Sequence, residues 1–229
     1  MNFGAVILAG GKSSRMGRDK ACLEIGGQSL LARQIQCVRA AGAREVFISG
    51  RRGTDYSPLG CPVLEDEFPE AGPLAGIAAA LAAVREPLLL VLAVDMANIS
   101  GDFLGRLHAH CGEGLGAVPV CDKILEPLAA FYPKAADELA RKLLAATNGV
   151  ASPGAKHFAK ACEEAGWVRC VAVPPHEVSV FKSWNSRADL PPEIEWEHPD
   201  SCTDRAKPVP QTSKSAVSPI SKSAGLGDY

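Results

Sequence analysis

AVILAGGKSSRMGRDK, residues 5–20, decides the reading of this 229-residue chain. Ala5 to Leu8 is an apolar run with the length and composition of a buried strand. It stops at Gly10 and Gly11 and becomes a hydroxyl-rich loop carrying Lys12, Arg15, Arg18 and Lys20. Glycines at such a point let the chain turn sharply and let a ligand come close to the main chain. A loop of backbone N–H groups ringed by cationic side chains is built for an anion, above all a polyphosphate. Two better-known phosphate loops are excluded. A Walker A loop needs glycine where Val6 stands, and glycines at 10, 11 and 17 do not match G-x-G-x-x-G.

Outward from this stretch, apolar runs alternate with helical patterns. The runs at 4–9, 45–49, 62–65, 88–94, 115–120, 127–132 and 168–173 read as strands, and the patterns near 29–41, 73–85, 101–111, 134–146 and 155–165 as helices. Ser29 is placed to cap the first helix and Gly42 to end it, while Ser152 and Pro153 mark the start of the last. The alternation is the sequence form of an α/β fold, with a mostly parallel sheet covered by helices. There is no internal repeat. The composition changes near Pro191, and from Asp200 the chain is Ser, Lys, Pro and Gly with few large apolar residues. Such a segment buries too little surface to offset the entropy of ordering. One domain over 1–190 and a flexible tail over 198–229 are therefore expected.

A formal charge of -2 argues against a general nucleic-acid or membrane-surface binder, which is usually basic. No apolar stretch reaches the length of a membrane span, and the N-terminus lacks the basic start of a secretory signal. The eight cysteines are scattered, with no C-x-x-C pair and no zinc-like spacing. They read as small core residues or incidental thiols in a reducing cytoplasm. No Ser/His/Asp or Cys/His arrangement is visible, so no covalent intermediate is expected.

Asp95 is the second anchor. It ends the apolar run Leu88–Val94. In open α/β sheets ligands gather beyond the carboxyl ends of strands, and a carboxylate there can hold Mg²⁺, which prefers few protein oxygens plus phosphate oxygens. A helix cap or turn residue is the plainer alternative.

The order Leu8, Ala9, Gly10, Gly11, Ser13, Arg15, Met16, Gly17, Asp19 and Lys20 resembles the signature of nucleotidyltransferases, most closely the molybdenum cofactor guanylyltransferases (molybdopterin-guanine dinucleotide synthases). The resemblance extends over about 3–190. Asp95-Met96-Ala97 resembles the family's D-M-P magnesium motif with Ala97 in place of proline, and Leu64-Glu65-Asp66 resembles its nucleotide-binding segment. Gly72-Pro73-Leu74-Ala75-Gly76 resembles its G-P-L-A-G turn, although proline in a first helical turn and glycines for close packing explain that segment as well. Glu126-Pro127-Leu128 resembles an acceptor-side E-P-L, and Phe181–Leu190 resembles a closing motif in which Asn185 matches the second asparagine. Ser49 and Ser183 stand where the family has asparagine, and Arg187 where it has proline.

The resemblance implies a three-layer αβα nucleotidyltransferase (Rossmann-like) fold with a mostly parallel central sheet. It implies transfer of GMP from GTP to the phosphate of molybdenum-bound molybdopterin, giving the guanine dinucleotide and pyrophosphate. Leu8, Ala9, Gly10, Gly11, Lys20, Asp66 and Asp95 are the implied nucleotide contacts. Arg15, Lys20 and Asp95 are the implied catalytic groups, with Mg²⁺ on Asp95. Asp66 is able to accept from the Watson–Crick edge of guanine or from ribose hydroxyls, and both remain open. GTP and molybdopterin are the implied partners, in a cytoplasmic monomer acting without nucleic acid or membrane. Three rivals share the loop chemistry: a CTP-dependent molybdopterin cytidylyltransferase, a sugar-phosphate nucleotidyltransferase, and a nucleotide sensor without turnover. The second glycine of Leu8-Ala9-Gly10-Gly11 favours the guanylyl branch, because cytidylyl relatives commonly read A-A-G there.

Overall fold

The computed structural model describes residues 1–10, 21, 23–51, 53–64, 71–146, 154–184 and 189, and every structural statement below concerns these residues. Strand β1, Phe3–Leu8, and strand β6, Leu88–Ala93, are buried along their whole length. Continuous apolar runs of this kind mark strands covered on both faces. They form the centre of an eight-stranded sheet with β4 (Val46–Ser49), β5 (Val63–Leu64), β7 (Gly116–Cys121), β9 (Ala129–Pro133) and β10 (Val168–Ala172), in the order β10-β7-β9-β6-β1-β4-β5. β8 (Ile124–Leu125) pairs with β7 beside this path. β1 pairs in parallel with β4 and β6, β4 with β5, and β10 with β7. β9 alone among the path strands runs antiparallel to its neighbours.

The register sorts side chains into two cores. Phe3, Ala5 and Ile7 of β1 join Leu88, Leu90 and Leu92 of β6 on one face. Helices α1 (Leu30–Ala40) and α3 (Gly101–His108) cover that face through Leu31, Ile35, Phe103 and Leu104. Val6 and Leu8 join Leu89 and Val91 on the other face. There they meet α2 (Pro73–Ala83), α4 (Asp137–Ala145) and α5 (Ala155–Glu164) through residues such as Ile77, Leu81, Leu144 and Phe158. Fully burying each such leucine or phenylalanine contributes about 1.5–3 kcal/mol. The architecture is the expected three-layer αβα fold.

The helix signals behave as the sequence suggests. Ser29 accepts a hydrogen bond from Ala32 N–H at 3.2 Å, and Gly42, at φ 102°, ends α1 by donating to the Arg39 carbonyl. Helix α5 starts after Gly154, while Ser152 and Pro153 lie outside the described residues. The helix expected over 134–146 opens instead as a 3-10 turn, Lys134–Ala136, before α4 begins. Hairpin β2–β3 (Glu24–Ile25 and Gln28–Ser29) was not anticipated; it turns on Gly26 and Gly27, both at positive φ. The β7–β8 turn places Asp122 and Lys123 at positive φ, the two-residue geometry that fits the twist of a hairpin. Cys61, Cys121 and Cys162 are buried free thiols, in line with their reading as core residues. Among the described residues no helix is long and apolar enough to cross a membrane. The tail at 198–229 lies outside them.

His108 of α3 packs against the rings of Phe3 and Phe131, at 4.9 and 5.2 Å, and its Nε2 is buried without a hydrogen-bond partner. Burial, then the nearby N-terminal ammonium, holds its pKa below the ordinary 6.5, against a smaller opposing effect of a hydrogen bond at Met1. The native state therefore takes up a proton less readily than the unfolded chain. The stability from neutral His108 is fully present above about 6.5 and is lost as pH falls through the folded-state value. His108→Leu should flatten the acid slope of the unfolding free energy. A variant with the full wild-type slope in urea titrations below neutrality contradicts this assignment.

Candidate functional site

The ladder between β1 and β6 runs without a slip from Phe3↔Leu88 to Leu8↔Ala93. Two parallel strands in that register release their chains at one edge of the sheet. Gly10 and Asp95, each two residues beyond its strand, therefore emerge side by side. β4 ends there too, since Leu8 also pairs with Ser49. Antiparallel β9 begins at the same edge, and Ala93 N–H donates to the Leu128 carbonyl at 2.8 Å, which brings Glu126-Pro127-Leu128 to it.

The backbone at this edge is tightly bonded. Ala9 and Gly10 both donate their N–H groups to the Ser49 carbonyl, at 2.8 and 3.0 Å, while the Leu8 carbonyl accepts from Val94 N–H at 3.1 Å. These two N–H groups are thus committed to the sheet, although the loop was expected to offer its backbone to an anion. Ala9 is buried and Gly10 exposed. Asp95 is half-buried; its carbonyl accepts from Trp184 N–H at 2.9 Å. Gln34 of α1 donates its side-chain amide to the carbonyls of Val94 and Met96. Successive turns, Met96 N–H to Ala93 and Ile99 N–H to Met96, lead to Ser100, whose hydroxyl caps α3 by accepting from Phe103 N–H.

Helix α2 sets its N-terminus against the same edge. Gly72 is its N-cap at φ 71° and Pro73 opens its first turn. A Cβ on Gly76 would stand 3.0 Å from both Leu8 Cδ2 and Ser49 Cβ, and nearer still to the Ser49 hydroxyl. Glycine is what lets the helix approach the ends of β1 and β4 so closely.

Leu8, Ala9, Gly10 and Asp95 thus lie at one edge of the sheet. Gly11, Lys12, Ser13, Arg15, Arg18, Lys20, Asp66, Asn185 and Arg187 lie outside the described residues. Gln34 was missed; the available signal was one polar residue in the apolar stripe Leu30, Leu31, Ile35, Val38. Glu126 is half-buried, and burial pushes its carboxyl upward against a smaller opposing effect of the Lys156 ammonium. The Cys121 thiol is pushed up to about 11, first by burial and then by the charges of Glu126 and Asp122. Among the described residues no cluster of three or more His, Cys, Asp or Glu side chains forms a metal cage. An ion at Asp95 would complete its shell with phosphate and water oxygens, a donor set suited to Mg²⁺.

The sequence pattern of the MobA-like NTP transferase domain matches residues 5–170. The chain belongs to this family. A probable molybdenum cofactor guanylyltransferase of Opitutus terrae is 40% identical over 186 residues, spanning 80% of this chain and 90% of that protein. A molybdenum cofactor guanylyltransferase of Xanthomonas euvesicatoria pv. vesicatoria is 43% identical over 105 residues, 45% of this chain and 52% of its own. Among solved structures, molybdopterin-guanine dinucleotide biosynthesis protein A from Archaeoglobus fulgidus superposes with a TM-score of 0.61 at 21% identity, covering 81% of this chain and 94% of that one. That likeness carries the fold.

The Gly76 contact is testable. Gly76→Ala should destabilise the fold by about 1–3 kcal/mol through overpacking. Adding Ser49→Ala removes the nearest obstructing atom and should recover part of that loss. A strictly additive double mutant would show that the two residues do not meet.

Proposed function

We propose that this chain transfers GMP from GTP to the phosphate of molybdenum-bound molybdopterin, giving molybdopterin guanine dinucleotide and pyrophosphate. The observation that carries the reading is the common exit of the Gly10 loop and the Asp95 strand at one sheet edge, inside a family match that spans both. The names of the relatives favour GTP over CTP and over sugar phosphates.

The chemistry follows from charge. An oxygen of the acceptor phosphate forms a bond to the α-phosphorus of GTP as the bond from that phosphorus to the bridging oxygen breaks, and pyrophosphate leaves with the electron pair. The nucleophile is already an anion, so no general base is required. The protein must hold two polyanions in line and offset their repulsion. Asp95 would hold Mg²⁺, which supplies charge neutralisation on the triphosphate when bound. Arg15 is suited to grip two phosphate oxygens at once, and Lys20 to place a mobile point charge where negative charge builds on the leaving group. Gly10 and Gly11 give the triphosphate access to the main chain, and Asp66 accepts from the base or the ribose. Leu8 and Ala9 support this loop from the sheet: their backbone bonds to Val94 and Ser49 are complete, so they act by shape.

Pyrophosphate release should require GTP and molybdopterin together, with CTP inert. Release with CTP in place of GTP assigns the chain to the cytidylyl branch, and GTP binding without release makes it a sensor. Asp95→Ala should lower turnover by roughly a hundredfold or more at saturating Mg²⁺, and Lys20→Ala should also weaken it strongly, as expected for loss of a group that stabilises developing charge. Near-wild-type turnover in Asp95→Ala rules out the metal assignment.

A further inference from the structure

Gln34 is a buried polar side chain, 2% exposed, on an otherwise apolar face of α1. An amide in such surroundings costs free energy unless its polar atoms are paired. Its Nε2 donates to the Val94 carbonyl at 3.4 Å and to the Met96 carbonyl at 2.9 Å. The orientation is dictated by chemistry, because the flipped amide would set Oε1 against two carbonyl oxygens. These carbonyls flank Asp95, and the carbonyl of Asp95 itself is held by Trp184 N–H at 2.9 Å.

The consequence is geometric. Peptide units are planar, so each carbonyl reports the orientation of a whole plane. The Val94 carbonyl lies in the plane entering Asp95, and the Asp95 carbonyl in the plane leaving it. Pinning both fixes φ and ψ of Asp95, and with them the direction of its Cα–Cβ bond. Gln34 secures the first plane and, through Met96, the one after the second. Trp184 secures the second. Helix α1 and the segment after Phe181 thereby aim one carboxylate.

We infer that Gln34 is a positioning residue for Asp95, holding the planes around it so that the carboxylate meets its ion without reorganisation. This rests on the reading of Asp95 as the residue that holds the metal of the bound triphosphate. Outer-shell partners of this kind typically contribute 10- to 100-fold in metal affinity or activity, on the order of magnitude.

The test measures binding. GTP affinity of the full-length chain is determined by calorimetry with and without Mg²⁺, for wild type, Gln34→Met and Asp95→Asn. Wild type should gain affinity with Mg²⁺, and Asp95→Asn should lose most of that gain. Gln34→Met, similar in length but without a donor, should lose about tenfold of it while metal-free GTP affinity stays unchanged. Amide exchange should quicken at 94–97 and not along β1. If Gln34→Met keeps the full Mg²⁺ gain, or lowers both affinities alike, Gln34 does not position Asp95 and the inference fails while the Asp95 reading stands. If Asp95→Asn keeps the full gain, that reading fails and the inference falls with it. Should Gln34→Met not fold, Gln34→Leu is measured in its place: loss of about tenfold of the Mg²⁺ gain with metal-free affinity unchanged supports the inference, and retention of the full gain overturns it.

Discussion

The hydrogen bond from Val94 N–H to the Leu8 carbonyl, at 3.1 Å, continues the β1–β6 pairing beyond its last register pair, and the candidate site depends on it. Side chains on a strand alternate between faces, so a slip of one residue would transfer Phe3, Ala5 and Ile7 to the opposite core. The two hydrophobic layers therefore fix the register, and the register fixes which residues leave the sheet together. Burial of leucines at the centre of the molecule thus sets the separation between Gly10 and Asp95.

Around that edge the chain spends its backbone groups on itself. Ala9 and Gly10 share the Ser49 carbonyl as acceptor, and the carbonyls of 94, 95 and 96 are held by Gln34 and Trp184. A frame whose hydrogen bonds are internally satisfied presents side chains from a stiff base, which is what electrostatic catalysis requires, because its groups must not reorganise as charge develops. In the proposed function side-chain charge adds to what the main chain of the loop offers a triphosphate, and a chain whose formal charge is -2 concentrates four cations within 12–20 for that task.

The parts of the fold that sequence reveals are those where one strong period or one abrupt change suffices. β1 and β6 are uninterrupted apolar runs, and the apolar stripes of α1 and α3 face the core as their spacing suggests. Strand direction left no such mark: Ala129–Pro133 is as buried as the mutually parallel strands β1 and β6, and its antiparallel course follows from the hairpin at Asp122 and Lys123, where no glycine announces the turn. The short hairpin at 24–29 is carried by paired glycines at positive φ, which also fit an irregular loop. Asp95 was legible as a candidate because a carboxylate closes an apolar run. Gln34 was not. A lone polar residue in a helix stripe acquires meaning only once its partners, some sixty positions away, are seen.

Fold and substrate rest on different observations, and the difference is physical. The superposition on the Archaeoglobus fulgidus protein at 21% identity follows the sheet and its layers, which many unrelated chemistries share. Choice of nucleotide depends instead on the few side chains that meet base, ribose and phosphates. The candidates proposed for those contacts lie in the stretches 8–20, 66 and 95, all within the family match over 5–170. Identity of 40% across 186 residues of the Opitutus terrae protein is a statement about sequence, and so bears on such positions as backbone likeness cannot. Ser49 qualifies even this. Its hydroxyl abuts Gly76 where the α2 N-terminus closes on β4, so a larger amide there could not occupy the same space without moving the helix. The wall where α2 meets β4 is thus set by a short side chain facing a missing one.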